Sequence, residues 1–214
     1  MLCGSEFDRN GMVCIWCQRS VHLKCRNYVE KECDFGRYSK SILPPACVKF
    51  PPLAVSALPS YVSPILVFIN PKSGGQTGLM ALMAFNSLLN PVQVINCLDN
   101  PREHLKNLSS LKRVRILVAG GDGSVSWMLK LLYDDDIWPG EKPPVGIFPM
   151  GTGNDLSNVL NWGVGLRSQA SENLWSLTEY AGRMIKDLYL SHVTLLDRWN
   201  VTIESASFRS VRNI

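Results

Sequence analysis

From residue 64 to about residue 203 the chain alternates short apolar runs, glycine-rich turns and stretches whose apolar residues recur at helical spacing. The run Ile65-Leu66-Val67-Phe68-Ile69 is apolar at every position, which predicts a strand covered on both faces. NPKSGGQTG follows it, and then Leu79, Met80, Leu82, Met83, Leu88 and Leu89 recur with the period of an amphipathic helix. The succession repeats with VQVI (92–95) and a helix after Pro101. It repeats again with RILVA (115–119), a helix carrying Val125, Met128, Leu129 and Leu132 on one face, and VGIF (145–148) with a helix behind it. Strands apolar on both faces and separated by helices predict an α/β fold on a mostly parallel, doubly wound sheet.

The preceding segment is punctuated by Pro44, Pro45, Pro51, Pro52, Pro59 and Pro64. Proline fixes φ and removes a backbone donor, so a semi-extended linker with neither helix nor central strand is expected over 36–63. Before it, Cys3, Cys14, Cys17, Cys25 and Cys33 crowd the first 33 residues, while Cys47 and Cys97 stand alone. The expected organisation is a small cysteine-rich module at 1–35, the linker, and an α/β segment over 64–214.

Charge narrows the partners. Lys and Arg number 22 against 18 Asp and Glu, a formal charge of +4, and the cations are scattered rather than gathered into a nucleic-acid-binding tail. No nucleic acid is expected, and only weak attraction to anionic lipid or phosphate follows. No run approaches the roughly 20 apolar residues that span a bilayer, so no transmembrane segment is expected and membrane contact is peripheral. The first residues show no secretory signal. The cysteines are therefore expected in a reducing compartment, where such a cluster reads as metal ligation before disulfide.

The spacing Cys14-x2-Cys17-x4-His22-x2-Cys25-x7-Cys33 suits two tight turns that present thiols and an imidazole tetrahedrally, as structural zinc requires. The alternative is a set of buried free cysteines beside a surface histidine. The run resembles the second half of a C1 domain, the diacylglycerol and phorbol-ester finger. The resemblance implies two structural Zn2+ sites, Cys14, Cys17 and Cys33 at one and His22 with Cys25 at the other. The leading histidine and first C-x2-C of that pattern are missing, and Cys3-Gly4 is similar to an extra Cys-Gly inside the finger loop. A truncated finger with incomplete zinc sites is expected.

Three glycine-bearing loops stand at predicted strand ends: Asn70-Pro71-Lys72-Ser73-Gly74-Gly75, Gly120-Gly121-Asp122-Gly123-Ser124, and Pro149-Met150-Gly151-Thr152-Gly153-Asn154-Asp155. Glycine lets backbone approach a phosphate closely, and amides at a helix N-terminus offer it positive partial charge. A type I′ hairpin turn would explain the second loop alone, but helical rather than alternating period follows it. In an open parallel sheet the carboxyl ends of the strands share one crevice, so the three loops are expected to converge there. None fits the P-loop or the dinucleotide glycine pattern.

Together the loops resemble the catalytic domain of diacylglycerol kinases, within a superfamily that includes NAD kinases and sphingosine kinases. LNPVQV and GTGNDLSNVLNWG are most similar to the epsilon type. The resemblance implies ATP and Mg2+ as cofactors. Gly120, Gly121, Gly123 and Ser124 would cradle the phosphates, with Asn70, Lys72, Ser73 and Gly74 on the opposite lip. Gly151, Thr152, Asn154 and Asp155 belong to the loop lining the nucleotide pocket. Asp122 would be the catalytic residue, as magnesium ligand or proton acceptor.

Asp134, Asp135 and Asp136 read as a solvated helix end, His104 and His192 as surface or strand-edge residues, and the Trp162-Gly163 and Arg198-Trp199 pairs as core and turn. The function implied is an ATP-dependent lipid kinase converting diacylglycerol to phosphatidic acid, cytoplasmic and peripherally membrane-associated. A β-rich second half follows in the family, so a truncated product that only binds nucleotide or partners is the second reading. A sphingosine or ceramide kinase is the third, and the C1-like run argues against it.

Overall fold

In the computed structural model the described residues are 11–49, 54–55, 58–74, 77–166, 173–205 and 208–213. Cys3 and Gly75 lie outside them. Two short strands, β1 (Gly11–Val13) and β2 (Ser20–His22), pair antiparallel at the N-terminal end, and β3 (Val48–Lys49) pairs with β4 (Ala54–Val55). The body then alternates β5 (Ile65–Ile69), α1 (Thr77–Asn86), β6 (Val94–Asn96), α2 (Pro101–Leu108), β7 (Arg115–Gly120) and α3 (Asp122–Leu129). It continues with β8 (Val145–Pro149), α4 (Asp155–Val159) and α5 (Leu174–Leu190), and a hairpin of β9 (Asn200–Ser205) and β10 (Phe208–Asn213) closes the described chain.

The central sheet is parallel throughout, in the order β6-β5-β7-β8. Along β5 and β7 the period of two divides the core. Ile65, Val67, Ile69, Leu117 and Ala119 meet α1 and α5 on one face, while Leu66, Phe68, Ile116 and Val118 meet α2 and α3 on the other. This is the three-layer, doubly wound α/β sheet that the strand pattern predicts. The chain leaves β5 toward β6 on one side and returns to β7 on the other, so the topological switch point lies at the carboxyl ends of β5 and β7.

Two elements differ from expectation for identifiable reasons. Helix α1 buries Gly78, Ala81, Ala84 and Phe85 and leaves Leu79 and Met83 more than half exposed. Small residues win because the helix crosses close over the first loop: a Cβ on Gly78 would lie 2.4 Å from the Pro71 carbonyl oxygen. The proline-rich segment is not a spacer. Tyr38, Ile42, Leu43, Cys47 and Val48 are buried, and they join both core clusters.

What ties that segment down is Gln93, fully buried just before β6. Its Nε2 donates to the carbonyls of Ser41 (2.8 Å) and Ile65 (2.7 Å). Its Oε1 accepts from the Leu43 amide (2.7 Å) and from Asn90 Nδ2 (2.5 Å). All four hydrogen-bonding positions of the side chain are used. The N-terminal module docks on the same segment, where Trp16 Nε1 donates to the Leu43 carbonyl at 2.5 Å and its ring packs on both clusters.

A volume-conserving Gln93→Met substitution therefore orphans the Leu43 amide and the Ile65 carbonyl. Unsatisfied buried groups cost about 1–3 kcal/mol each, so the stability loss is on the order of 3 kcal/mol. Urea denaturation of the two proteins measures it.

Candidate functional site

The parallel strands end in step. Ile69 pairs with Ala119 and Gly120 with Pro149, so all three glycine loops leave one edge of the sheet. The Asn70 amide donates to the Ala119 carbonyl and the Met150 amide to the Gly120 carbonyl, both at 3.0 Å, which carries the ladder one residue past each strand.

The loops touch through their backbones. A Cβ on Gly151 would stand 2.5 Å from Gly121 Cα, and one on Gly121 would stand 3.0 Å from Gly151 Cα. Gly74, at φ +61°, sits where a Cβ would meet the Met150 carbonyl oxygen at 2.7 Å. No side chain fits at these contacts, which is why the second and third loops carry glycine there.

Side chains then lock the crossing. Asn70 Oδ1 accepts the Lys72 amide (3.0 Å) and its Nδ2 donates to Ser124 Oγ (3.4 Å), joining the first loop to α3. Asn154 is buried, and its amide closes the third loop on itself: Oδ1 accepts the Gly151 amide, and Nδ2 donates to the carbonyls of Gly151 (2.7 Å) and Val164 (2.9 Å). Asp122 opens α3, yet its carboxylate reaches α4, accepting the amides of Asp155 (2.9 Å, Oδ2) and Leu156 (3.2 Å, Oδ1). It thus caps the next helix from outside.

Lys72, Thr152 and Asp155 are exposed around the crossing, as is Gly123, beside which a Cβ meets nothing within 4 Å. The amides of Asp122 and Ser124 at the start of α3 donate to the Gly153 and Gly121 carbonyls, and the exposed Gly123 and Lys72 stand beside them; a helix start with a lysine is chemistry that suits phosphate oxygens. The sequence pattern brings Asn70, Lys72, Ser73, Gly74, the GGDGS run and the GTGND run to one place. It gives no sign that Asn154 turns inward, onto Gly151 and Val164, or that Asp122 reaches across to cap α4. Cavities of 410 and 390 Å3 lie elsewhere, lined by no loop residue.

At the N-terminal module Cys14, Cys17 and Cys33 gather with their Sγ atoms all within 4.8 Å. Burial raises the Cys33 thiol to about 12, with the neighbouring thiols of Cys17 and Cys14 adding to it. Burial also acts to raise Cys14, but the amides of Cys17 and Trp16, together with hydrogen bonds from the Cys17 and Cys33 thiols, outweigh it and hold that thiol below its ordinary value. His22 ends β2 and Cys25 lies in the 3-10 turn Leu23–Tyr28, both half-buried and outside this trio.

The remaining sequence candidates are structural. Asp134 pairs with Arg198, Asp135 with Arg102 and Asp136 with Lys142, so the acidic run is a set of ion pairs at a helix end. His104 and His192 are exposed, and Trp162 is half-exposed against the core. Trp199 is 74% exposed and so is not a core residue.

Two outcomes test this geometry. Gly151→Ala forces the Gly121 backbone aside and lowers the thermal midpoint, whereas Gly123→Ala, inside α3 and in open space, raises stability by roughly 0.5–1 kcal/mol. Thermal unfolding by circular dichroism separates the pair. At the thiol trio, zinc affinity rises with pH, by up to roughly tenfold per unit for each proton released, because the bound thiols must deprotonate. Chelator competition at several pH values measures it.

Comparison with known proteins accounts for both regions. Residues 64–181 match the diacylglycerol kinase catalytic domain family, and residues 1–36 match the phorbol esters/diacylglycerol binding domain (C1 domain). The chain is 36% identical over 213 residues to human (Homo sapiens) diacylglycerol kinase kappa, covering 94% of this chain and 16% of that protein. It is 36% identical over 225 residues to probable diacylglycerol kinase 3 of Caenorhabditis elegans (94% and 27%), and 33% identical over 204 residues to mouse (Mus musculus) diacylglycerol kinase delta (93% and 16%). The chain therefore spans between about a sixth and a quarter of the length of these relatives. The human and mouse relatives are of kappa and delta type, so the epsilon likeness of the two short segments is not what these matches support. No solved structure matches. With more than half its length inside one family and the strand-loop-helix order that family resemblance implies, the chain belongs to the diacylglycerol kinase catalytic domain family.

Proposed function

We propose that the α/β body is the nucleotide-binding part of a kinase that moves the γ-phosphoryl group of ATP to the free hydroxyl of diacylglycerol, giving phosphatidic acid. The observation that supports it is the backbone crossing of the glycine loops at the sheet's switch point, in a chain of this family. Backbone amides at Gly121 and Gly123 and the Lys72 ammonium take the phosphate oxygens, with the Ser124 hydroxyl beside them, since the Ser124 amide already donates to the Gly121 carbonyl at 2.9 Å. Ser73 and Gly74 form the facing lip, and Thr152 and Asp155 border the nucleotide. Asn154 contributes by holding the third loop closed.

Asp122 keeps a second lone pair on each oxygen after accepting the two α4 amides. It is assigned the hard-oxygen work of the site, as ligand to Mg2+ or acceptor of the hydroxyl proton. Magnesium, when bound, offsets charge on the β- and γ-phosphate oxygens. In the transfer the hydroxyl oxygen bonds to the γ-phosphorus and the bond from that phosphorus to the ADP oxygen breaks.

Around this centre we assign zinc to Cys14, Cys17 and Cys33, with His22 and Cys25 serving a second ion, in a module ending near residue 35. The catalytic region begins near residue 64. The C1-like run favours diacylglycerol over sphingosine or ceramide as substrate. No described helix is long and apolar enough to cross a membrane, and we assign peripheral association at the cytoplasmic face. An epsilon subtype rests on LNPVQV and GTGNDLSNVLNWG alone.

In the full-length protein Asp122→Asn lowers turnover by about 10²–10⁴ and raises the magnesium requirement. The fold survives, because the lost acceptor removes one capping bond, about 1 kcal/mol. Phosphatidic acid formed from ATP and diacylglycerol in mixed micelles is the readout. Turnover near that of the unsubstituted protein would assign Asp122 to the α4 cap alone.

A further inference from the structure

A recess of 390 Å3 lies between α5 and the turn Gly36–Tyr38, on the face of α5 away from the sheet. Trp175, Glu179, Gly182 and Lys186 line it at steps of three and four residues, so one face of the helix forms one wall. Gly182 makes the floor possible: a Cβ there would stand 2.2 Å from the Tyr38 hydroxyl, and Tyr38 with Leu88 closes the bottom. Arg37 stands on the opposite wall, with Arg183 beside Lys186 on the helix.

The charge in the recess is unbalanced. Arg37, Arg183 and Lys186 share it with a single carboxylate, Glu179. Among the described residues the ion pairs are Arg19–Asp34, Arg102–Asp135, Lys142–Asp136 and Arg198–Asp134, and none draws on these three cations. The Arg183 guanidinium lies 5.7 Å from the centre of the Tyr180 ring, which orients it without neutralising it. Two guanidinium groups and an ammonium around one hollow match a phosphate monoester, whose charge near neutral pH is about −1.5 to −2 and whose oxygens accept forked arginine bonds.

The apolar lining narrows the ligand further. Trp175, 71% exposed at the mouth, and Leu88 at the floor add apolar surface that free phosphate does not use, while the Tyr38 hydroxyl adds one donor for a phosphate group. An exposed indole next to cations is the arrangement that rests at a membrane interface, ring among the headgroups and charge on the phosphates. We propose that this recess binds the phosphomonoester headgroup of an anionic membrane lipid, gripped between Arg37 and the Arg183–Lys186 pair. The turn bearing Arg37 sits directly on the thiol module, since a Cβ on Gly36 would lie 3.6 Å from the Cys17 carbonyl oxygen. A bound headgroup therefore pins that module to α5. No glycine-loop residue takes part, so the inference stands apart from the kinase reading.

Sedimentation of the chain with phosphatidylcholine vesicles, plain or doped with phosphatidic acid, tests it. Binding to the doped vesicles is expected, and Arg183→Glu with Lys186→Glu weakens it about tenfold or more. Both side chains are exposed, so the circular dichroism spectrum stays unchanged. Lys106→Glu with Lys112→Glu makes the same charge change on exposed residues elsewhere and keeps the original affinity. Trp175→Ala weakens vesicle binding too. Equal loss in both double variants would show a diffuse charge effect and overturn the site. Release of the chain from doped vesicles by inorganic phosphate at matching phosphate concentration, with Trp175→Ala silent, would overturn the lipid headgroup in favour of free phosphate.

Discussion

The structure turns on one backbone contact, the crossing of Gly121 over Gly151, where a Cβ on Gly151 would enter the Gly121 main chain and one on Gly121 would press on Gly151 at 3.0 Å. Parallel strands alone bring loop ends to the same edge, but they leave the loops free to splay. The crossing fixes the second and third loops against each other, and Gly74 under the Met150 carbonyl adds the first. A phosphate-sized ligand needs donors from several chain segments at one spacing, and that spacing is set here by the absence of side chains.

The crossing in turn depends on the sheet behind it holding register. Gln93 contributes from the opposite end of the strands. By bonding to Ser41, Leu43, Ile65 and Asn90 it fixes the entry of β5 and lays the proline-rich segment across the core. Trp16 then anchors the thiol module to the same segment through the Leu43 carbonyl. One buried amide therefore joins a strand of the body to the segment on which the module docks. Buried polar networks of this kind favour a single arrangement when every member is satisfied, as Gln93 is.

The central strands were legible because they are apolar on both faces: ILVFI, RILVA and VGIF appear as β5, β7 and β8 within a residue or so. The edge strand is shifted, from VQVI to Val94–Asn96; the Gln93 carbonyl still accepts the Val67 amide at 2.8 Å, while its side chain turns inward to the Ser41 and Ile65 carbonyls. Helix α1 misleads for a different reason. Its large residues Leu79 and Met83 face solvent, close approach to the first loop requires glycine at 78, and Ala81 and Ala84 lie in the core. Among the described residues of 36–63 the helical turns are the short 3-10 turns Gly36–Tyr38 and Pro45–Cys47, and proline density carries no information on whether Ile42 and Leu43 find a core to enter. At the site, glycine positions are readable from composition. The inward turn of Asn154 is not, because it arises from a contact with Val164 ten residues away.

Asp122 carries the tension of the site. α4 has five residues, too few for a helix to persist on propensity alone, and two of its first amides are held by Asp122 from another loop. The carboxylate is therefore structural before any ligand arrives, and whatever it binds also acts on the third loop. A cation or proton on its free lone pairs weakens its hold on Asp155 and Leu156, while a ligand that draws Asp122 forward pulls the start of α4 with it. The second and third loops consequently respond as one unit to occupancy of the crevice. Asp122 couples the chemistry assigned to this site to the position of the loop proposed to border the nucleotide.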